Sequence, residues 1–328
     1  DVETLVDSLS PADLQEVVSL LKAEFVQPGR LTDQELARAS VQGLLARLGT
    51  GASLVMAQTA PPDTPVSFLA EILDERIGYL KLGALSAENV QQLDAALDNL
   101  RAKSIQSVVL DLRHTPHSGD FDLALEVIRR FAPQGRLLFS LRKPGAKQER
   151  MFTSSQEPRF QGLVMILADA DTSGAPEVIA GTLRLQARAL VIGEPTAGRA
   201  VEYSERRLSG GRILRFAIAE AALPEGAPIY PGGVKPDLPV KLDRTLKQQM
   251  ARQGADKGIS QFVFDKDRPR MNEAALVAGT NPELDSIQSG RRNGESDTPA
   301  RIPRDTVLQR AVDLITTITL YETKPGKG

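Results

Sequence analysis

The 328-residue chain contains no cysteine, which excludes disulfides and thiolate zinc sites. It has only two histidines, His114 and His117, too few for a three-histidine metal centre, so neither a metal nor another cofactor is expected. Charge of one sign is missing as well. Forty Lys and Arg face 42 Asp and Glu, a net charge of -2, and such a balance supplies no global field to hold nucleic acid or an anionic membrane. No run approaches the roughly 18 apolar residues of a membrane-spanning helix, so no span is expected. There is no internal repeat. The first residue is Asp1 rather than an initiator methionine, which suggests that an upstream leader has been removed. Together with the absence of cysteine, this gives the expectation of an exported protein, periplasmic or extracytoplasmic.

What is present reads as alternating helix and strand. Ser10-Pro11-Ala12-Asp13 places a capping hydroxyl, a first-turn proline and an early acid ahead of Val17, Val18, Leu20 and Leu21, which predicts a helix. Thr32-Asp33-Gln34-Glu35 is a capping box before a second helix with Leu36, Val41, Leu44 and Leu45. These form an N-terminal helical unit over 1–48, and their apolar stripes suggest a role in oligomerisation. Gly, Thr and Pro dominate 49–65, read as a linker. A core follows over 66–243. Ile77 to Leu82 is a β-rich run, Ser86 caps a helix with Val90, Leu93, Leu97 and Leu100 on one face, and Ser107 to Leu112 is apolar enough for a strand covered on both sides. The alternation continues with a helix near 120–131, strands at Leu137–Leu141 and Leu163–Leu167, a helix near 176–186, and a strand at Ala189–Gly193. The pattern predicts a layered α/β core. A hairpin is expected around Ser209-Gly210-Gly211, a polar and partly mobile insertion over 244–304, and a closing helix within 305–328.

Four ordered segments carry a resemblance. Ile77 to Leu82 with the Ser86 helix is the first. Val109-Leu110-Asp111-Leu112-Arg113 resembles "LDLRNNPGG". Leu163 to Leu167 followed by Ala175-Pro176-Glu177 resembles the strand and turn of "SASASEI", and Val191-Ile192-Gly193-Glu194-Pro195-Thr196-Ala197-Gly198-Arg199 resembles "VGEPTFGKG". Gly232 to Asp237 is similar to "GKGIEPD". Together they resemble the tail-specific, or C-terminal processing, serine peptidases. The resemblance implies a ClpP/crotonase-like core and proteolysis by a serine nucleophile with a lysine base. A peptide-binding PDZ module usually precedes that core, and here only the short Pro-rich segment stands in its place.

The resemblance also shows what is replaced. Aligning on Glu177 puts Gly174 at the nucleophile position and Arg199 at the lysine position. Glycine has no hydroxyl, and a guanidinium stays protonated throughout the physiological range and cannot act as a general base. The oxyanion region, implied to involve Ala175, His117 and Ser118, has His117 where the family keeps a glycine. A catalytically silent binding or scaffold protein is therefore expected, with a polypeptide partner and a homo-oligomeric state. Two alternatives stay open: an active serine endopeptidase using Ser173, which on this reading lacks a base, or another nucleophile, and a regulatory subunit of an active paralogue. His114 and His117 are read as filling an exposed turn, and Asp111 with Arg113 as a structural ion pair. Arg199 is left between binding a terminal carboxylate and pairing with Glu177 or Glu202.

Overall fold

The computed structural model describes residues 2–56, 67–224, 227–243, 245–247, 250, 258–263 and 304–323. It divides into two units, Asp1–Gln58 with Ser204–Phe216, and Thr59–Tyr203 with Ala217–Gly328. The first unit holds helices α1 (Val2–Asp7), α2 (Pro11–Glu24) and α3 (Asp33–Leu48), and strand β1 (Ala52–Met56). Ser10 caps α2 by accepting from the Asp13 amide while Asp13 answers the Ser10 amide, and Thr32 accepts from the Glu35 amide at the start of α3. Neither α2 nor α3 buries any residue. The segment read as a linker thus begins as a strand: β1 lies antiparallel to residues 212–216. Its alternation was masked by flanking Gly and Thr.

The second unit runs β2 (Leu69–Leu73), β3 (Ile77–Lys81), α4 (Ala87–Ala102), β4 (Ser107–Asp111), α5 (Phe121–Arg129), β5 (Leu137–Arg142), β6 (Arg150–Thr153), β7 (Leu163–Ala168), α6 (Ala175–Gln186) and β8 (Leu190–Gly193). The hairpin strands β9 (Val201–Arg207) and β10 (Arg212–Ala222) follow in the chain, their residues 204–216 counted with the first unit, and then come β11 (Leu238–Pro239) and α7 (Thr306–Thr323). The end of β10 pairs with β5, and β5 with β6. The main sheet has the order β11-β8-β7-β4-β3-β2, parallel except for β2. Most of the expected insertion at 244–304, and the remainder of the linker, lie outside the described residues.

That strand order decides where the core lies. From β3 to β8 the chain advances in one direction across the sheet, so right-handed crossovers put α4, α5 and α6 on the same face. Leu80, Val108, Leu110, Val164, Ile166 and Val191 pack against those helices. The alternate residues Tyr79, Val109, Met165, Leu167 and Ile192 face the other way, where Phe262, Val307, Leu308, Ala311 and Ile315 cover them. Both faces being covered explains why β4 is buried at every position.

A buried polar clamp fixes the helix on the second face. Asp111 at the end of β4 accepts from the Tyr79 hydroxyl at 2.7 Å and from Arg113 Nε and Nη2 at 2.9 and 2.7 Å. The same guanidinium donates to Asp305 at 3.0 and 2.7 Å. Asp305 in turn caps α7, accepting from the amides of Val307 and Leu308. Burial pushes the Asp111 carboxyl up, but the charge and hydrogen bonds of Arg113 outweigh it and hold the group below its ordinary range. Burial, helped by the Asp111 charge, drives the Tyr79 hydroxyl well up, so it stays a neutral donor.

A carboxyl whose folded pKa is depressed adds stability above its unfolded pKa of about 3.9 and loses it as pH falls through the folded value. Arg113→Met leaves two buried carboxylates without their cation and is expected to cost about 3–5 kcal/mol at pH 7 in urea unfolding. In that variant the main opposition to burial at Asp111 is gone, so the deficit should shrink as the pH drops from 7 towards 5. An equal deficit at both pH values would refute the assigned role.

Candidate functional site

Three loops leave the carboxyl ends of β4, β7 and β8, where ligands and catalytic groups collect in parallel sheets. Thr172 ties them together. Its hydroxyl donates to the Leu112 carbonyl at 3.2 Å, and its carbonyl accepts from the Ala197 amide at 3.0 Å. Asp169 braces the middle loop by accepting from the amides of Asp171 and Thr172, and Lys247 pairs with both Asp169 and Asp171.

Glu177, in the first turn of α6, is wholly buried and collects four donors. One oxygen accepts from the amides of Gly174 at 2.8 Å and Arg199 at 2.7 Å; the other accepts from the Thr196 hydroxyl at 2.6 Å and the Gly198 amide at 2.7 Å. This carboxylate therefore joins the loop that holds Gly174 to the loop that holds Arg199. In the sequence Glu177 served only to set the alignment; an acid at the third position of a Gly-Ala-Pro helix start was the available signal.

Gly174 adopts φ 77° and ψ -128°, a conformation L side chains rarely take. A Cβ there would lie 2.2 Å from the Ser118 carbonyl oxygen and 2.8 Å from His117 Cε1. Ser118 and Gly174 form a parallel bridge, and the Ala175 amide donates to the Ser118 carbonyl at 2.7 Å. Gly174, expected from the resemblance to hold the nucleophile position, is therefore not only without a side chain but covered by the turn after β4. Of the expected oxyanion region, Ala175 has its N–H committed, Ser118 supplies the carbonyl that takes it, and His117 crowds Gly174.

The expectation that Ser173 lacks a base is corrected: His117 Nδ1 lies 3.0 Å from Ser173 Oγ. Ser173 is 5% exposed, whereas His117 is exposed and meets the Tyr203 ring edge-on at 5.9 Å between centroids. The reading of both histidines as filling an exposed turn holds for the exposure of His117 but not for its lack of partners, nor for the exposure of His114. His117 reaches across to the next loop, and His114 is half-buried in the left-handed region at φ 59°. Burial first, then the charges of Lys247 and Lys81, lowers the His114 pKa. Asp111 and Arg113 do form a structural ion pair, extended by Asp305. Arg199 is exposed, and it is its backbone N–H rather than its guanidinium that meets Glu177. Among the described residues no ion pair joins it to Glu177 or Glu202. No cluster of metal-ligating side chains occurs among the described residues.

Residues 76–240, half of the chain, match the model of peptidase family S41, and the chain belongs to that family. It is 26% identical over 163 residues to the carboxyl-terminal-processing protease of Synechocystis sp., a match spanning 50% of this chain and 38% of that protein. It is 24% identical over 323 residues to the carboxy-terminal processing protease CtpA of Bacillus subtilis, spanning 89% of this chain and 66% of that protein. The chain thus spans between 38% and 66% of the length of these two relatives. A putative peptidase from Parabacteroides merdae has the same fold, with a TM-score of 0.55 at 15% identity over 74% of this chain and 85% of that one. Between β1 and β2 there are only residues 57–68, too few for an independent domain such as a PDZ module.

The Glu177 web makes a direct prediction. Glu177→Gln keeps the shape but turns an amide NH₂ towards two of the four donors, and should cost on the order of 3 kcal/mol, about as much as Glu177→Ala. Amide exchange at Gly174, Gly198 and Arg199 should quicken together. A Gln variant as stable as the parent would show that the carboxylate is not the joint between the loops.

Proposed function

We propose that this S41 chain is a pseudopeptidase, a binding or scaffold component that engages polypeptide rather than cutting it by serine–lysine chemistry. The observation that supports the reading most is the hydrogen bond from the Ala175 amide to the Ser118 carbonyl. The residue after the nucleophile position is where an acyl-transfer site of this kind needs a free oxyanion donor, and here the donor is taken. Gly174 supplies no nucleophile and Arg199 no base. Polypeptide binding has a surface to use: β6 pairs only with β5 among the described residues, and Arg150, Met151 and Thr153 are exposed along it, so an extended segment can add there as a strand.

The purified protein is expected not to degrade casein. Gly174→Ser with Arg199→Lys should stay near background, because the restored side chain meets the Ser118 carbonyl and His117, and a missing oxyanion donor alone costs about 100- to 1000-fold in rate. Adding His117→Gly should raise activity more than either dyad substitution does alone. Robust casein turnover by the double variant would overturn the closed-site account.

The same reading includes assembly. Leu14, Val17, Val18, Leu20 and Leu21 on α2 are between 42% and 49% exposed, an apolar stripe that the chain does not bury for itself. A second copy of the chain, offering the same stripe, is the proposed occupant, with an active relative carrying similar helices as the competing one. Light scattering at micromolar concentration should give at least twice the monomer mass, and Leu14→Asp with Val18→Asp should return it to monomer. A monomeric parent would refute self-assembly. An extracytoplasmic setting remains part of the proposal, resting on the absence of cysteine, and cell fractionation tests it.

A further inference from the structure

We propose that Ser173 and His117 form a nucleophile–base pair, one residue before the vacated nucleophile position, that reacts with small activated acyl or phosphoryl groups. A serine hydroxyl is a poor nucleophile until a base takes its proton, and a base must lie within about 2.6–3.2 Å to do so. His117 Nδ1 meets that requirement at 3.0 Å, across 56 residues of chain. With its hydrogen on Nε2, the ring accepts from Ser173 Oγ. Both partners are held. Thr172 and Gly174, on either side of Ser173, are fixed by the Leu112 carbonyl and by Glu177, while the Tyr203 ring lies against His117. The serine is nearly buried, but its partner faces solvent, so approach is from the His117 side and is limited to slender groups.

The same geometry excludes peptides as good substrates. The two nearest backbone donors of α6 are occupied, the Gly174 amide by Glu177 and the Ala175 amide by Ser118. An amide, with its poor leaving group, depends on such donors, whereas an aryl ester or a fluorophosphonate depends on them much less. In the reaction Ser173 Oγ bonds to the carbonyl carbon or phosphorus, and its proton passes to His117 Nδ1. The bond to the phenolate or fluoride breaks, and that group leaves and takes up the proton. For an acyl group, water then adds by the same route, releasing the acid and regenerating the serine.

A biotinylated fluorophosphonate is the probe, applied to the full chain and followed by intact mass and peptide mapping. The expected result is a single adduct, on Ser173, absent in Ser173→Ala. His117→Gln should slow labelling by about 100-fold or more while leaving the thermal unfolding midpoint in place. The parent's labelling rate should climb with pH across the imidazole range of about 5 to 8, and the Gln variant's rate should not. No adduct, an adduct on another residue, or equal rates in parent and His117→Gln would each overturn the proposal. Labelling of Ser173 without casein cleavage leaves the pseudopeptidase reading standing, so the two can fail separately.

Discussion

The grip of Arg113 on Asp111 and Asp305 is the constraint from which the rest of the second unit follows. A parallel sheet whose strands advance in one direction puts all its crossover helices on one side, leaving a second apolar face that no crossover can cover. Here that face is closed by a helix from the far end of the chain, 192 residues from Arg113, and the guanidinium is what fixes where that helix begins. As net stabilisation, a buried ion triad is a weak device, since desolvation offsets much of its attraction. Its value here is geometric. An apolar replacement would still favour covering the face, but only the fork of donors, with Asp305 also capping α7, sets the register of the helix against β4. The clamp stands at the very end of β4, so it also anchors the first residues of the loop that carries His117 and Ser118.

The loops beyond the strand ends are held by a second device of the same kind. Glu177 gathers four donors from two loops, and none of those donors belongs to a catalytic side chain: three are backbone amides and one is the Thr196 hydroxyl. The frame therefore uses the backbone, not the side chains, of residues 174 and 199. Gly174 and Arg199 enter it through their backbone amides alone, so the S41 architecture at these loops is held by Glu177 and Thr196 rather than by their side chains.

Much of this was legible in the sequence wherever the signal is local. Ser10, Thr32 and Ser86 mark helix starts because a capping hydroxyl acts three residues along, and Val108 to Leu112 reads as a strand covered on both faces because nearly every side chain in it is apolar. Gly174 and Arg199 were found by register within motifs. What could not be read was pairing across loops. Nothing near Arg113 names Asp305, and nothing near Ser173 names His117, since each pair meets only once the strand ends are brought together. Strand β1 was missed for a different reason: five residues beside Gly, Thr and Pro give too little alternation to stand out, and its partner lies in the hairpin beyond Val201.

The glycine at 174 and the close approach of the turn after β4 are one structural feature rather than two. The bridge between Ser118 and Gly174 brings a carbonyl to within 2.2 Å of where a Cβ at 174 would stand, so a nucleophile there and the bridge exclude each other. With glycine at this position φ near +77° is accessible, the turn after β4 lies against the helix start, and the Ala175 amide has the Ser118 carbonyl as its acceptor. The same turn carries His117, and the side chain that it meets is that of Ser173, the residue before Gly174. The contact that shuts one nucleophile position thus assembles a serine–histidine pair beside it. On the proposed reading the pair has a base in reach while the amides of Gly174 and Ala175 are occupied, a combination that favours groups that leave easily over amides.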